Sequence, residues 1–170
     1  MSAAHHRSAR LVAGAEVEID EPDYKVAVAD STFVLLWRGA ATPERARLVC
    51  AAISRRAAHG RFVAITVVEE NAPPPEGPAR QIFAATMREI RHSIAGNAYF
   101  MPISGFRGSV IRSVITGLNL LAGDPYPTRA FDALPPAARW VAGRLHDDAA
   151  AADVLARRLQ SQVEGLRALT

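Results

Sequence analysis

The residues Phe62-Val63-Ala64-Ile65-Thr66-Val67-Val68 form a nearly unbroken apolar run rich in β-branched side chains. A run of this kind reads as a strand covered on both faces, so it predicts a central strand with helices above and below it. Its neighbours agree. Before it, Thr42-Pro43-Glu44 places a capping hydroxyl, a proline preset for the first helical turn and an acid on the positive end of the helix dipole. Ala46, Val49, Cys50, Ile53 and Ala57 follow on one helical face, Arg45, Arg47, Arg55 and Arg56 fall outside that stripe, and Gly60 ends the helix. Cys50 therefore reads as a small core residue.

After the run, Glu69-Glu70-Asn71-Ala72-Pro73-Pro74-Pro75 is an acidic loop stiffened by proline. A second helix opens near Pro78, buries Ile82, Phe83, Met87, Ile90 and Ile94, and is predicted to stop at Gly96. Upstream, Tyr24–Val28 and Thr32–Trp37 flank the turn residues Asp30-Ser31 and predict a β-hairpin, with Val17-Glu18-Ile19 as a short lead-in. Downstream come an extended run at Asn97–Met101, a third helix from the Ser104–Gly108 turn to Ala122, a strand at Thr128–Phe131, and a helix after Pro135-Pro136 carrying Trp140, Val141 and Leu145.

Strands alternating with helices imply parallel crossovers. The expectation is an α/β fold with a mixed, mostly parallel sheet of about five strands. Residues 149–168 place Leu155, Leu159, Val163, Leu166 and Leu169 near one face, the pattern of an appended amphipathic helix. The domain plan is a mobile N-terminal segment at 1–14, an α/β domain at 15–146 and a C-terminal helical extension at 147–170.

Composition excludes several classes. One cysteine in 170 residues removes disulfide scaffolding, and 49% apolar content is too high for a disordered chain. The net charge of +3 comes almost wholly from arginine, with Lys25 the only lysine. These arginines are dispersed, without a stripe interleaved with aromatics, so they read as high-GC codon usage and not as a nucleic-acid footprint. His5 and His6 lie in the terminal segment, and His59, His92 and His146 are isolated, so neither a metal site nor a cofactor is expected. The first 14 residues lack the apolar core of an export signal, and no apolar run reaches the ~20 residues of a membrane span. A cytoplasmic location is expected.

The hairpin and capped helix, DYKVAVADSTFVLLWRGAATPERARLV, resemble the STAS and anti-sigma-factor-antagonist fold, a shape also seen in lipid-binding Sec14-type domains. The later segment SGFRGSVIRSVITGLNLLAGDPYPTRAFDALPPAARWV is similar to STAS-like proteins of unassigned role in high-GC bacteria. The resemblance spans about residues 22–145 and rests on topology more than motif. It implies a non-enzymatic protein-interaction module in a bacterial regulatory system. Phospho-switched members carry a serine at the start of the helix after the central strand, where phosphate meets the helix dipole. Residues Glu69–Pro78 hold no Ser or Thr.

In open α/β sheets, ligands collect at the carboxyl ends of parallel strands. Arg38 and Thr42, then Glu69, Glu70 and Asn71, then Ser104, Gly105, Phe106 and Arg107 occupy those ends. Arg38, Thr42, Ser104, Gly105 and Arg107 are the candidate ligand or anion site. The Ser-Gly-Phe-Arg-Gly turn lacks the spacing and lysine of a Walker loop. Glu69 or Glu70 with Ser104 or Arg107 would be the only catalytic grouping, and no histidine accompanies it, so an enzyme is not expected. On the third helix, Val110, Ile111, Val114, Ile115, Leu118 and Leu121 form the expected core stripe. Ser109, Arg112, Ser113, Thr116, Gly117 and Asn119 form a second, smooth face, a candidate interface for a protein partner or a second copy unless the terminal helix covers it. The two functional readings are an interaction module using that face and a binding domain for a small apolar or anionic ligand in the cleft between the strand ends and the third helix.

Overall fold

The computed structural model describes residues 10–102 and 105–170, without the side chains of Phe106 and Arg107. Twelve elements follow in order: β1 (Leu11–Val12), β2 (Ala15–Asp20), β3 (Tyr24–Val28), β4 (Thr32–Trp37), α1 (Pro43–Ala57), β5 (Phe62–Val68), α2 (Gly77–Ile90), β6 (Ile94–Phe100), α3 (Gly105–Ala122), β7 (Thr128–Phe131), α4 (Leu134–Leu145) and α5 (Ala149–Ala168). The fold is α/β around one mixed sheet whose strands lie in sequence order from β1 to β7. Strands β1 to β4 form an antiparallel meander, and β4 to β7 run parallel.

The sheet has seven strands among the described residues, where about five were expected. The lead-in at Val17–Ile19 is a full strand, Ala15–Asp20, and Leu11–Val12 adds another at the edge. A two-residue strand carries no readable alternation. Its turn is made by Ala13 and Gly14, both at positive φ, the geometry that suits a tight hairpin. Part of the segment at 1–14 is thus in the sheet, and residues 1–9 lie outside the described ones.

Each of the three parallel crossovers steps to the adjacent strand in the same direction. Since such connections are right-handed, α1, α2 and α3 fall on one face of the sheet. Buried side chains bear this out, with Val49 and Ala52 of α1 and Ile90 of α2 packing among Phe33, Leu35, Phe62 and Ala64. The opposite face carries Val34, Leu36, Val63, Ile65 and Val67, covered by α4 and α5. Burial on both faces is what the apolar run of β5 requires.

α4 comes close because Ala137, Ala138 and Ala142 face the sheet, and because β6 offers Gly96 beneath it. A Cβ at Gly96 would lie 3.2 Å from Arg144 Cγ and 3.3 Å from the Pro127 carbonyl oxygen. That glycine was expected to stop α2. Instead α2 ends at Ile90, Ile94 already belongs to β6, and Gly96 serves close helix–sheet approach.

Three polar devices seat α5. Buried Thr32 donates to Gln162 Oε1 at 2.8 Å, while the Arg38 guanidinium donates to the carbonyls of Arg167 and Leu169 at the helix end. Arg167 pairs with both oxygens of Glu69, at 2.7 and 3.1 Å. The C-terminal helix thus packs on its own domain, with Leu155, Leu159, Val163 and Leu166 in the core.

In α1, Thr42 caps through its side chain and Pro43 opens the helix. Arg56 departs from its expected surface position. It is buried and donates to the carbonyls of Ala29, Gly60 and Arg61, with its guanidinium 4.9 Å from the Phe62 ring centre.

Gln162→Leu removes the acceptor of a fully buried hydroxyl, and should cost about 1–3 kcal/mol of stability. The double variant Thr32→Val/Gln162→Leu removes both partners and should recover part of that loss, as read by urea denaturation.

Candidate functional site

The two faces of the sheet are packed differently. Under α4 and α5 the buried apolar side chains form one continuous cluster. Under α1, α2 and α3 they fall into three. One joins α1 to the sheet, one joins Ala84 and Met87 of α2 to Leu118 and Ala122 of α3, and one joins Ile111 and Ile115 of α3 to Met101. Between them lies a cavity of about 120 Å³.

Its floor is the sheet: Phe33, Leu35 and Trp37 of β4, Ala64, Thr66 and Val68 of β5, and Asn97 and Tyr99 of β6. Alternation along each strand aims these side chains at one face. The roof comprises Val49, Cys50 and Ile53 from α1, then Phe83, Thr86, Met87 and Ile90 from α2. Ile111, Val114, Ile115 and Leu118 of α3 close a further side. Pro73, Pro74 and Pro75 form the rim, where the chain leaves β5, and Tyr126 lines the wall from the segment before β7. The cavity therefore reaches the carboxyl ends of the parallel strands, where open α/β sheets collect ligands.

Among the described residues no Asp, Glu, Lys, Arg or His lines it. The polar groups are Thr66, Asn97, Tyr99, Tyr126, Thr86 and Cys50. Thr66 donates to Asn97 Oδ1 at 3.3 Å. Burial pushes the Tyr99 hydroxyl up to about 12, with the neighbouring Asn97 amide acting the other way. Tyr126 also lies well above its usual value, first from burial and then from the proximity of Tyr99 and Cys50. Burial likewise raises the Cys50 thiol, opposed by a hydrogen bond with Thr86. Both phenols and the thiol therefore remain neutral at physiological pH. A raised thiol is a poor nucleophile, in keeping with a core role for Cys50.

The residues singled out at the strand ends have other tasks. Arg38 holds the end of α5, the Thr42 hydroxyl accepts from the Arg45 amide, and Glu69 is engaged by Arg167. Gly105 opens α3 at positive φ and is exposed, whereas Ser104 and the side chain of Arg107 lie outside the described residues. Glu70 and Asn71 are exposed. Strand-end reasoning reaches the end of the sheet where the cavity opens and does not name the residues that line it. The signal for those is a polar residue inside a strand covered on both faces: Thr66 in Phe62–Val68 and Asn97 in Ile94–Phe100.

On α3, Ser109, Arg112, Ser113, Thr116 and Gly117 are exposed and Asn119 is partly buried. Ser109, Ser113 and Thr116 return their hydroxyls to the helix's own carbonyls at Gly105, Ser109 and Arg112. α5 packs on the opposite side of the sheet, so it does not cover this face. Val110 and Leu121, expected in the core stripe, are 36% and 50% exposed, because α3 meets α2 and the sheet edge through a narrower stripe of Ile111, Ile115, Leu118 and Ala122.

Comparison with known proteins finds no matching family model, curated protein or solved structure. Among the described residues, no helix is long and apolar enough to cross a membrane, and no group of three or more His, Cys, Asp or Glu side chains could hold a metal ion.

Tyr99 is harder to ionise in the folded chain than in the unfolded one, so its contribution to stability is complete below the ordinary tyrosine value and is lost as pH rises through about 12. A pH titration of the Tyr99 ring carbon by NMR, assigned with Tyr99→Phe, should show a midpoint near 12.

Proposed function

We propose that this protein binds a small, mostly apolar molecule in the cavity between its sheet and the layer formed by α1, α2 and α3. The observation that carries the reading is an uncharged, predominantly apolar cavity with a few polar groups, open at the carboxyl ends of the parallel strands. Small-molecule sites have this character, with apolar walls for affinity and a few polar groups for orientation. The lining favours an apolar over an anionic occupant, since an anion there would meet no cation among the described residues. It favours binding over catalysis, since among the described residues no paired carboxylates and no nucleophile with a base line the space.

The resemblance to STAS and Sec14-type chains supports the same reading, and with it a ligand-sensing regulatory role in the bacterial cytoplasm. A second reading is favoured by α3. Its smooth face is open, and Leu120 and Leu121 beside it are 67% and 50% exposed, which suits contact with a protein partner or a second copy. Ser113→Arg should abolish such association and leave the fold intact, whereas unchanged sedimentation and pull-down behaviour would contradict it.

Benzene is a suitable first probe, because a dry apolar cavity of roughly this size can hold one ring. It should bind saturably with a dissociation constant of about 1 mM or tighter. Cys50, the single cysteine, lines the cavity, so its methylthiolation by a small thiosulfonate should slow when benzene is present. Ala64→Leu, which fills the floor, should remove both effects. Absence of saturable binding together with an unchanged Cys50 rate would contradict the proposal.

A further inference from the structure

Resting on the cavity-binding reading, we infer that the ligand is a neutral, mostly apolar molecule carrying one hydrogen-bond-accepting oxygen, as in a ketone, ester or amide, held with that oxygen against Asn97 and the tyrosine hydroxyls. Besides Cys50 and Thr86 in the roof, the polar groups of the cavity lie together. Thr66 and Asn97 lie on adjacent strands, joined by their 3.3 Å hydrogen bond, and Tyr99 follows Asn97 on the same face of β6. Tyr126 lines the wall close enough to Tyr99 for that phenol to raise its own pKa. The β6 end of the floor is thus polar, while Phe33 and Leu35 of β4 make the other end apolar.

Asn97 is 6% exposed, yet it lines the cavity. Its carbonyl oxygen accepts from Thr66, and its amide, which also interacts with the Tyr99 hydroxyl, can only donate. Tyr99 and Tyr126 add hydroxyls that stay protonated across the physiological range. Donors that face an otherwise apolar space are well matched by an accepting oxygen on the ligand. Charge works against the alternatives. Among the described residues of the lining a carboxylate would find no cation and an ammonium group no carboxylate.

The test uses the full chain with ethylbenzene, acetophenone and benzoate at neutral pH, three probes that share a ring and differ in the oxygen. Acetophenone should bind at least about tenfold more tightly than benzoate, since the ionised group has no partner in the cavity. Asn97→Leu keeps the branched side-chain shape and removes the amide donor, together with the acceptor of Thr66. It should weaken acetophenone about tenfold and leave ethylbenzene within about twofold, because only the oxygen loses a partner. If Asn97→Leu fails to fold, Tyr99→Phe tests the same end and should weaken acetophenone about fivefold with ethylbenzene unchanged. Benzoate binding as tightly as acetophenone, or equal weakening of acetophenone and ethylbenzene, overturns this inference and leaves the cavity-binding reading intact. Failure of all three probes and of benzene to bind overturns both.

Discussion

Because the three parallel crossovers all advance across the sheet in one direction, handedness sends α1, α2 and α3 to the same face. That constraint governs the rest of the molecule. β5 is apolar on both sides, so the face left bare must be covered by chain that comes later. α4 and α5 do this after the last strand, and the terminal helix is therefore a structural necessity of the core. Its leucines replace water over β3 and β4, and Gln162, Arg38 and the Glu69–Arg167 pair fix where it lies.

The two coverings differ in side-chain size, and the difference creates the cavity. α4 meets the sheet through alanines over Gly96, so its backbone approaches closely. α1 and α2 lean on one another, and α2 leans on α3, through Phe83, Met87 and Leu118. Helices that satisfy each other in this way need not press on the strands. The sheet beneath them carries Thr66, Asn97 and Tyr99, polar groups a tightly packed face would have to satisfy internally, and here they open into the space that remains.

Sequence and structure agree where the signal is local. The apolar run at Phe62–Val68, the Thr42-Pro43 helix start and the Asp30-Ser31 hairpin turn each carry their own chemistry, and each occurs where it is expected. Disagreements arise where distant chain decides. Gly96 resembles a helix stop until α4 is seen above it, and Arg56 resembles a surface residue until the carbonyls of Ala29 and Gly60 are found around its guanidinium. Leu11–Val12 is too short to show a period. The candidate site was legible only in its place: the cavity reaches the carboxyl ends of the strands, but Arg38 and Glu69 there bind α5, a fact set by residues more than a hundred positions away in the case of Arg38. A cavity depends on the separation between layers, which no window of sequence encodes.

The account stands on the claim that the space under α1, α2 and α3 is real, apolar and open to a ligand. Xenon is the most direct probe, since it enters dry apolar cavities and diffracts anomalously. Crystals equilibrated under xenon should show an atom among Leu35, Ala64, Met87 and Leu118, and none within the continuous core beneath α4 and α5. A structure with no xenon at that position, or with xenon only on the α4 and α5 side, would contradict the account.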